Sequence, residues 1–167
     1  MQSVEVDAFE FCRSKDRRQG QAQVSDLSRL AAETADGSGQ LAWAVQGGSD
    51  GHGNPAMELS VQGDVRLQCQ RCLQPLDFHI DSAASVVVAR DEESADALDE
   101  QLAEEEAEVI VGSQTLNLLA LVEDEALLAL PAAPRHEACA LKAQAEPAAE
   151  ASGKKESPFA VLGKLKR

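Results

Sequence analysis

Two short residue pairs carry donors suited to a metal ion, Cys69-x-x-Cys72 and His136-x-x-Cys139. Thiolate and imidazole are the ligands of structural zinc, and a two-residue gap lets both members of a pair wrap one ion. Joined, Cys69, Cys72, His136 and Cys139 would form a closed Cys3His site with no open position for a substrate. More than sixty residues separate the pairs, so this spacing is less specific than two Cys-x-x-Cys motifs would be. The same residues admit another reading, with Cys69 a core side chain on a strand face and Cys72 a free thiol in a turn. A thioredoxin-like redox pair needs a following helix to depress the thiol pKa, and a strand pattern follows here instead. Cys12, beside Arg13, Lys15, Arg17 and Arg18, reads as a free thiol.

Catalytic constellations are thin. His52, His79 and His136 have no paired nucleophile, and no glycine-rich phosphate loop follows a strand. Glu123-Asp124-Glu125 offers three carboxylates, but adjacent helical positions spread over about 200° of circumference and diverge. They suit a partner-facing acidic patch, or a helix face with one buried acid, better than acid–base chemistry or a metal-dependent ribonuclease.

The elements that must position these groups show in the hydrophobic period. Met57, Leu59, Val61, Val65, Leu67 and Cys69 occupy odd positions, with Glu58, Ser60, Gln62, Asp64, Arg66 and Gln68 between them. That alternation predicts a long strand with one buried face, and Gly63 marks a bulge or a close backbone approach. After Pro75 the parity reverses through Leu76, Phe78, Ile80, Ala84, Val86 and Val88. The two runs predict an antiparallel hairpin over about residues 56–89 with Cys69 and Cys72 at its tip. Leu41, Trp43 and Val45 predict a further strand, and Ser25 can cap a short helix over 25–35. Residues 116–130 predict the main helix, stopped by Pro131. Residues 91–108 read as an acidic loop or mobile helix with a short strand at 108–111, and 140–167 as a flexible linker ending in a Pro158-Phe159-Ala160-Val161-Leu162 tail. The expectation is a single α+β domain over 1–139, with a twisted antiparallel sheet packed on the helix of 116–130 and a short N-terminal helix beside it.

Charge narrows the partners. The chain of 167 residues has a net charge of −14, unevenly spread. Residues 91–134 hold 13 acidic side chains and no basic one, whereas 135–167 hold 7 basic and 4 acidic. Carboxylates repel phosphate backbones and attract cationic proteins. No apolar run reaches the roughly 18 residues of a membrane span, and residues 1–18 lack a secretory apolar region, so the expected location is the cytoplasm.

Four segments, in order, resemble the YceD family. They are residues 67–76 around Cys69-Gln70-Arg71-Cys72 and Pro75, the run 121–131 around Leu121-Val122-Glu123-Asp124-Glu125, residues 134–139 from Pro134-Arg135-His136 to Cys139, and Pro158 to Lys166. Ser157 and Ala126 depart mildly from that pattern. The resemblance implies a non-catalytic role in synthesis, processing or stability of large-subunit (23S) ribosomal RNA, with no small-molecule substrate. The partner expected from charge is a basic ribosomal protein or assembly factor, met through an acidic surface centred on residues 91–108 and Glu123, Asp124 and Glu125, with Arg135, Pro158 and Phe159 as further partner-binding candidates. The alternative is direct contact with ribosomal RNA through the Arg13 to Arg18 cluster and Lys164, Lys166 and Arg167.

Overall fold

The computed structural model describes residues 4–104 and 107–139; Pro158, Phe159 and the rest of the C-terminal segment lie outside the described residues. In chain order the elements are β1 (Glu5–Val6), α1 (Ala8–Ser14), β2 (Arg17–Gln23), a 3-10 turn (Val24–Asp26), α2 (Ser28–Glu33) and β3 (Gly39–Ser49). There follow β4 (Pro55–Gln68), β5 (Pro75–Ala89), α3 (Glu92–Gln101), β6 (Ala107–Val111), β7 (Leu116–Asn117) and α4 (Leu118–Leu128). The fold is α+β.

The alternating run of β4 forms the expected strand. Its odd side chains Met57, Leu59, Val61, Val65 and Leu67 are buried and its even ones from Glu58 to Gln68 are exposed. β5 runs back against it from Gln68–Pro75 to Ala56–Val87 without a break in register. Gly63 is therefore no bulge. It sits opposite both Leu41 of β3 and Ile80 of β5. A Cβ there would lie 2.3 Å from the Gln40 carbonyl oxygen and 2.7 Å from Leu41 Cδ2. The glycine marks a close approach.

The five-stranded sheet has the order β2-β3-β4-β5-β6. Its first three pairings are antiparallel, but β6 lies parallel to β5, so the sheet is mixed where an all-antiparallel one was expected. The crossover between β5 and β6 contains α3, as a parallel connection requires. The end of β5 is consequently covered on both sides: Val86, Val87, Val88 and Ala89 are all buried. Leu98 of α3 and Leu102 just beyond it close the second face over Ala56 and Val87.

The first face carries the main core. Leu118, Val122 and Ala126 of α4, spaced by one helical turn, pack with Leu30 of α2, with Ala8 and Phe11 of α1, and with the odd side chains of β4. Helix α4 is shorter than the predicted 116–130, because Leu116 and Asn117 pair with Val6 and Glu5 and the Asn117 side chain caps the helix, accepting from the Leu119 N–H at 3.0 Å. The predicted 25–35 helix is likewise trimmed, with Ser25 inside the 3-10 turn and not a cap. The acidic segment forms α3, opened by a capping box between Asp91 and Ser94.

Gly63→Ala should lower stability in urea unfolding by about 1–3 kcal/mol, since a methyl has nowhere to go between β3 and β4. Gly48→Ala, whose Cβ meets nothing within 4 Å, should stay near neutral.

Candidate metal centre

Cys69 continues the odd, core-facing parity of β4 and is fully buried. The chain then turns tightly. The Cys69 N–H donates to the Gln74 carbonyl at 3.0 Å, and the Leu73 N–H donates to the Cys69 carbonyl at 2.9 Å. Leu73 closes the turn with φ of 60°, a left-handed conformation that costs a branched side chain roughly 1–2 kcal/mol. Beyond α4 the chain passes Pro131 and returns along this tip, where the Gln70 N–H donates to the Pro134 carbonyl at 2.9 Å. That contact delivers His136 and Cys139 to the two hairpin cysteines.

All four sequence-predicted ligands meet. Their donor atoms lie within 4.8 Å of one another, Cys69 Sγ to Cys139 Sγ at 3.9 Å and Cys72 Sγ to His136 Nδ1 at 3.4 Å. Thiolates bound tetrahedrally to zinc at about 2.3 Å would stand about 3.8 Å apart, so the donors fit such an ion with small adjustments. His136 Nε2 lies 3.0 Å from the Pro75 carbonyl oxygen. A carbonyl only accepts, so in the neutral ring Nε2 carries the proton and Nδ1 offers its lone pair to the cluster.

The thiols are electrostatically unequal. Burial opposes ionisation of Cys69, but backbone N–H groups of Cys72, His136 and Arg71, then the Cys72 side chain, outweigh it and pull the pKa down to about 5. Hydrogen bonding from Cys72, then burial, then Cys69 push the Cys139 thiol up to about 11. Hydrogen bonds to Cys69 and Cys72 raise His136, against the opposing effect of burial. Without an ion the cluster therefore favours a thiolate at Cys69, while Cys139 and His136 hold their protons more tightly than usual. A metal must displace those protons, and binding tightens as pH rises. Four protein donors fill a tetrahedral shell and leave no position for a substrate.

The remaining candidates fall elsewhere. Cys12 is buried in the core, where desolvation raises its pKa. His79 faces Asp64 across β4 and β5 at 2.7 Å, His52 sits in the exposed Asp50–Asn54 turn, and Arg135 is exposed beside His136. The three acids of α4 are engaged at two places, Glu125 on the sheet and Glu123 and Asp124 on Arg29. Glu125 is buried and accepts a hydrogen bond from Ser82 on the core face of β5. Glu123 is buried too, and its carboxylate accepts from the backbone N–H groups of Arg29 at 2.7 Å and Leu30 at 3.2 Å and from the Arg29 guanidinium at 2.9 Å. It thus caps α2, which has no capping side chain of its own. Asp124, half exposed, also pairs with Arg29.

Sequence reasoning did not single out Arg29 or Ser82. Ser82 did leave a signal, as the one polar residue in the even, apolar run of β5. Arg29 left none, because its partners lie more than ninety residues away. Glu123→Ala should destabilise the fold by about 1–2 kcal/mol through the uncapped α2 N–H groups, read by urea denaturation. Asp124→Ala, at the exposed rim, should cost less than about 1 kcal/mol.

Comparison with known proteins places these features in a family. The family model described as "Large ribosomal RNA subunit accumulation protein YceD" matches residues 57–166, from β4 through both halves of the cluster. A Haemophilus influenzae protein of the same description is 36% identical over 118 residues, covering 66% of this chain and 65% of its own length. The chain thus spans slightly less than two thirds of that relative. No solved structure matches. The residues that bring the cysteine and histidine pairs together lie within the matched region, and the chain belongs to the YceD family.

Proposed function

We propose that this chain acts in the cytoplasm, without catalysis, in the accumulation of large-subunit 23S ribosomal RNA, as an acidic adaptor for a basic ribosomal protein or assembly factor. The family and the Haemophilus relative bear the large ribosomal RNA description, which supports the process. The observation that carries the adaptor is α3. Glu92, Glu93, Asp96, Asp99 and Glu100 are all exposed on it, and none has an ion-pair partner among the described residues. Its apolar side is spent on the sheet, so the carboxylates face solvent where a cationic protein can meet them. Of the α4 acids only Asp124 is left at the surface, and the docking face is therefore α3 with Arg135 outside it. Absence of catalysis is supported by the engagement of Glu123 and Asp124 with Arg29 and of Glu125 with Ser82, and by a metal cluster whose donors are all protein. No helix among the described residues is long and apolar enough to cross a membrane.

Zinc at Cys69, Cys72, His136 and Cys139 is the structural cofactor of this reading. It would clamp the hairpin tip to the chain beyond α4 and give the domain its closing contact.

Protein purified without chelator should carry about one zinc per chain. Cys72→Ser or Cys139→Ser should abolish that stoichiometry and lower Tm, and zinc affinity in the parent should fall with falling pH. Folded, zinc-free parent protein defeats the assignment. Replacing the five α3 acids by Gln and Asn should slow association with basic large-subunit ribosomal proteins by roughly tenfold or more and flatten its salt dependence. Binding that survives both the substitutions and high salt rejects the adaptor.

A further inference from the structure

At the opposite end of the sheet from the cysteine cluster lies a cavity of about 670 Å3, within the roughly 300–1,000 Å3 range of small-ligand sites. Its lining includes Arg13, Lys15 and Arg90, with Phe9 and Cys12 along the inner wall and the Gly48–Ser49 end of β3. The three cations come from two places: Arg13 and Lys15 from the end of α1 and its left-handed cap, and Arg90 from the residue after β5. No carboxylate is among the described residues that line it.

That composition runs against the chain as a whole, in which 29 acidic side chains face 15 basic ones. Random placement would put acids at the rim. Three neighbouring carboxylates are instead engaged in local ion pairs and hydrogen bonds. Asp16 pairs with Arg18, Asp50 is held by the N–H groups of His52 and Asn54, and Asp91 caps α3. Glu10 reaches Arg13 alone. Lys15 and Arg90 have no ion-pair partner among the described residues. Glu10 partly offsets Arg13, but Lys15 and Arg90 stay uncompensated beside it, and a bound anion would relieve the remaining repulsion. Phe9 adds an aromatic wall, fixed from behind by Gly112, where a Cβ would lie 2.8 Å from the Phe9 ring. A cationic rim beside an aromatic face suits a phosphate that carries a base.

We infer that this cavity binds the phosphoryl group of a nucleotide unit, with Arg13, Lys15 and Arg90 on the phosphate and Phe9 against the base. The site is separate from the metal cluster and adjoins the start of α3, where the Arg90 N–H donates to the Ser94 hydroxyl. It puts an anion-binding function beside the first turn of the acidic helix, at the end of the sheet away from the cysteine cluster, so a chain that holds a cationic partner on α3 would also hold a nucleotide phosphate next to it. The group can come from an RNA strand or from a free nucleotide.

The test uses the full-length protein with amide NMR titrations of inorganic phosphate, AMP and a 5′-phosphorylated oligouridylate, repeated in Lys15→Gln and Arg90→Gln. These exposed side chains are replaceable without disturbing the core. The expected result is shifts at Phe9, Gly48 and Ser49 and weaker binding in each variant, by about fivefold at ~0.1 M salt for a single-strand phosphate contact. The slope of log affinity against log salt should fall by about 0.7 per cation removed. Tightest binding by the oligonucleotide supports the site with RNA as the source, and tightest binding by AMP supports it with a free nucleotide. No shifts at these residues, or shifts of equal affinity in both variants, overturn it. Loss of binding to basic proteins in the α3 variant with these shifts intact leaves the inference standing.

Discussion

A slip of one residue between β4 and β5 would turn Leu59, Val61, Val65 and Leu67 toward water and carry Cys69 away from the core face. Nothing else in the molecule tolerates that. Helices α1, α2 and α4 all pack on the odd side of β4, and the turn that holds Cys69 and Cys72 inherits its geometry from the same register. The register is pinned where Gly63 lies between Leu41 and Ile80, because only a residue without Cβ allows β3 to come so near. Packing and donor geometry are two readings of one strand alignment.

Charge is organised by the same frame. Along α4 the sheet takes Glu125 through Ser82 and helix α2 takes Glu123 through its unsatisfied N–H groups, so a run of acids becomes an internal fastening. The solvent-facing negative charge then concentrates on α3, whose inner side covers the parallel end of the sheet. Glu123 and Glu125 can be buried because each accepts hydrogen bonds that replace those lost to water.

Period-two patterning made the hairpin and its cysteine tip legible, and the ligand types made the cluster legible once both halves were paired. Less local features were not. Strand β2 reads as charged and polar, Arg17-Arg18-Gln19-Gly20-Gln21-Ala22-Gln23, and becomes a strand because β3 offers it a full row of backbone partners. Helix α1 is seven residues of mixed character between Asp7 and Lys15, too short for a period to show. The strand expected at 108–111 is β6, but its parallel pairing was hidden behind the crossover, although the unbroken Val86-Val87-Val88 already indicated a segment covered on both faces. Arg29 with Glu123, and the joining of Arg13, Lys15 and Arg90, depend on folding of distant segments, which no window along the chain contains.

The return of residues 134–139 to the hairpin tip has a temporal side. A ribosome makes Cys69 and Cys72 early and Cys139 only after every strand and helix described above, so the nascent chain holds half a ligand set until the domain is otherwise complete. A link between Cys69 and Cys139 spans 70 residues. A covalent tie of that span would strip the unfolded chain of entropy worth about 4 kcal/mol. Metal capture at this position would therefore come as the last step of assembly and mark a finished domain.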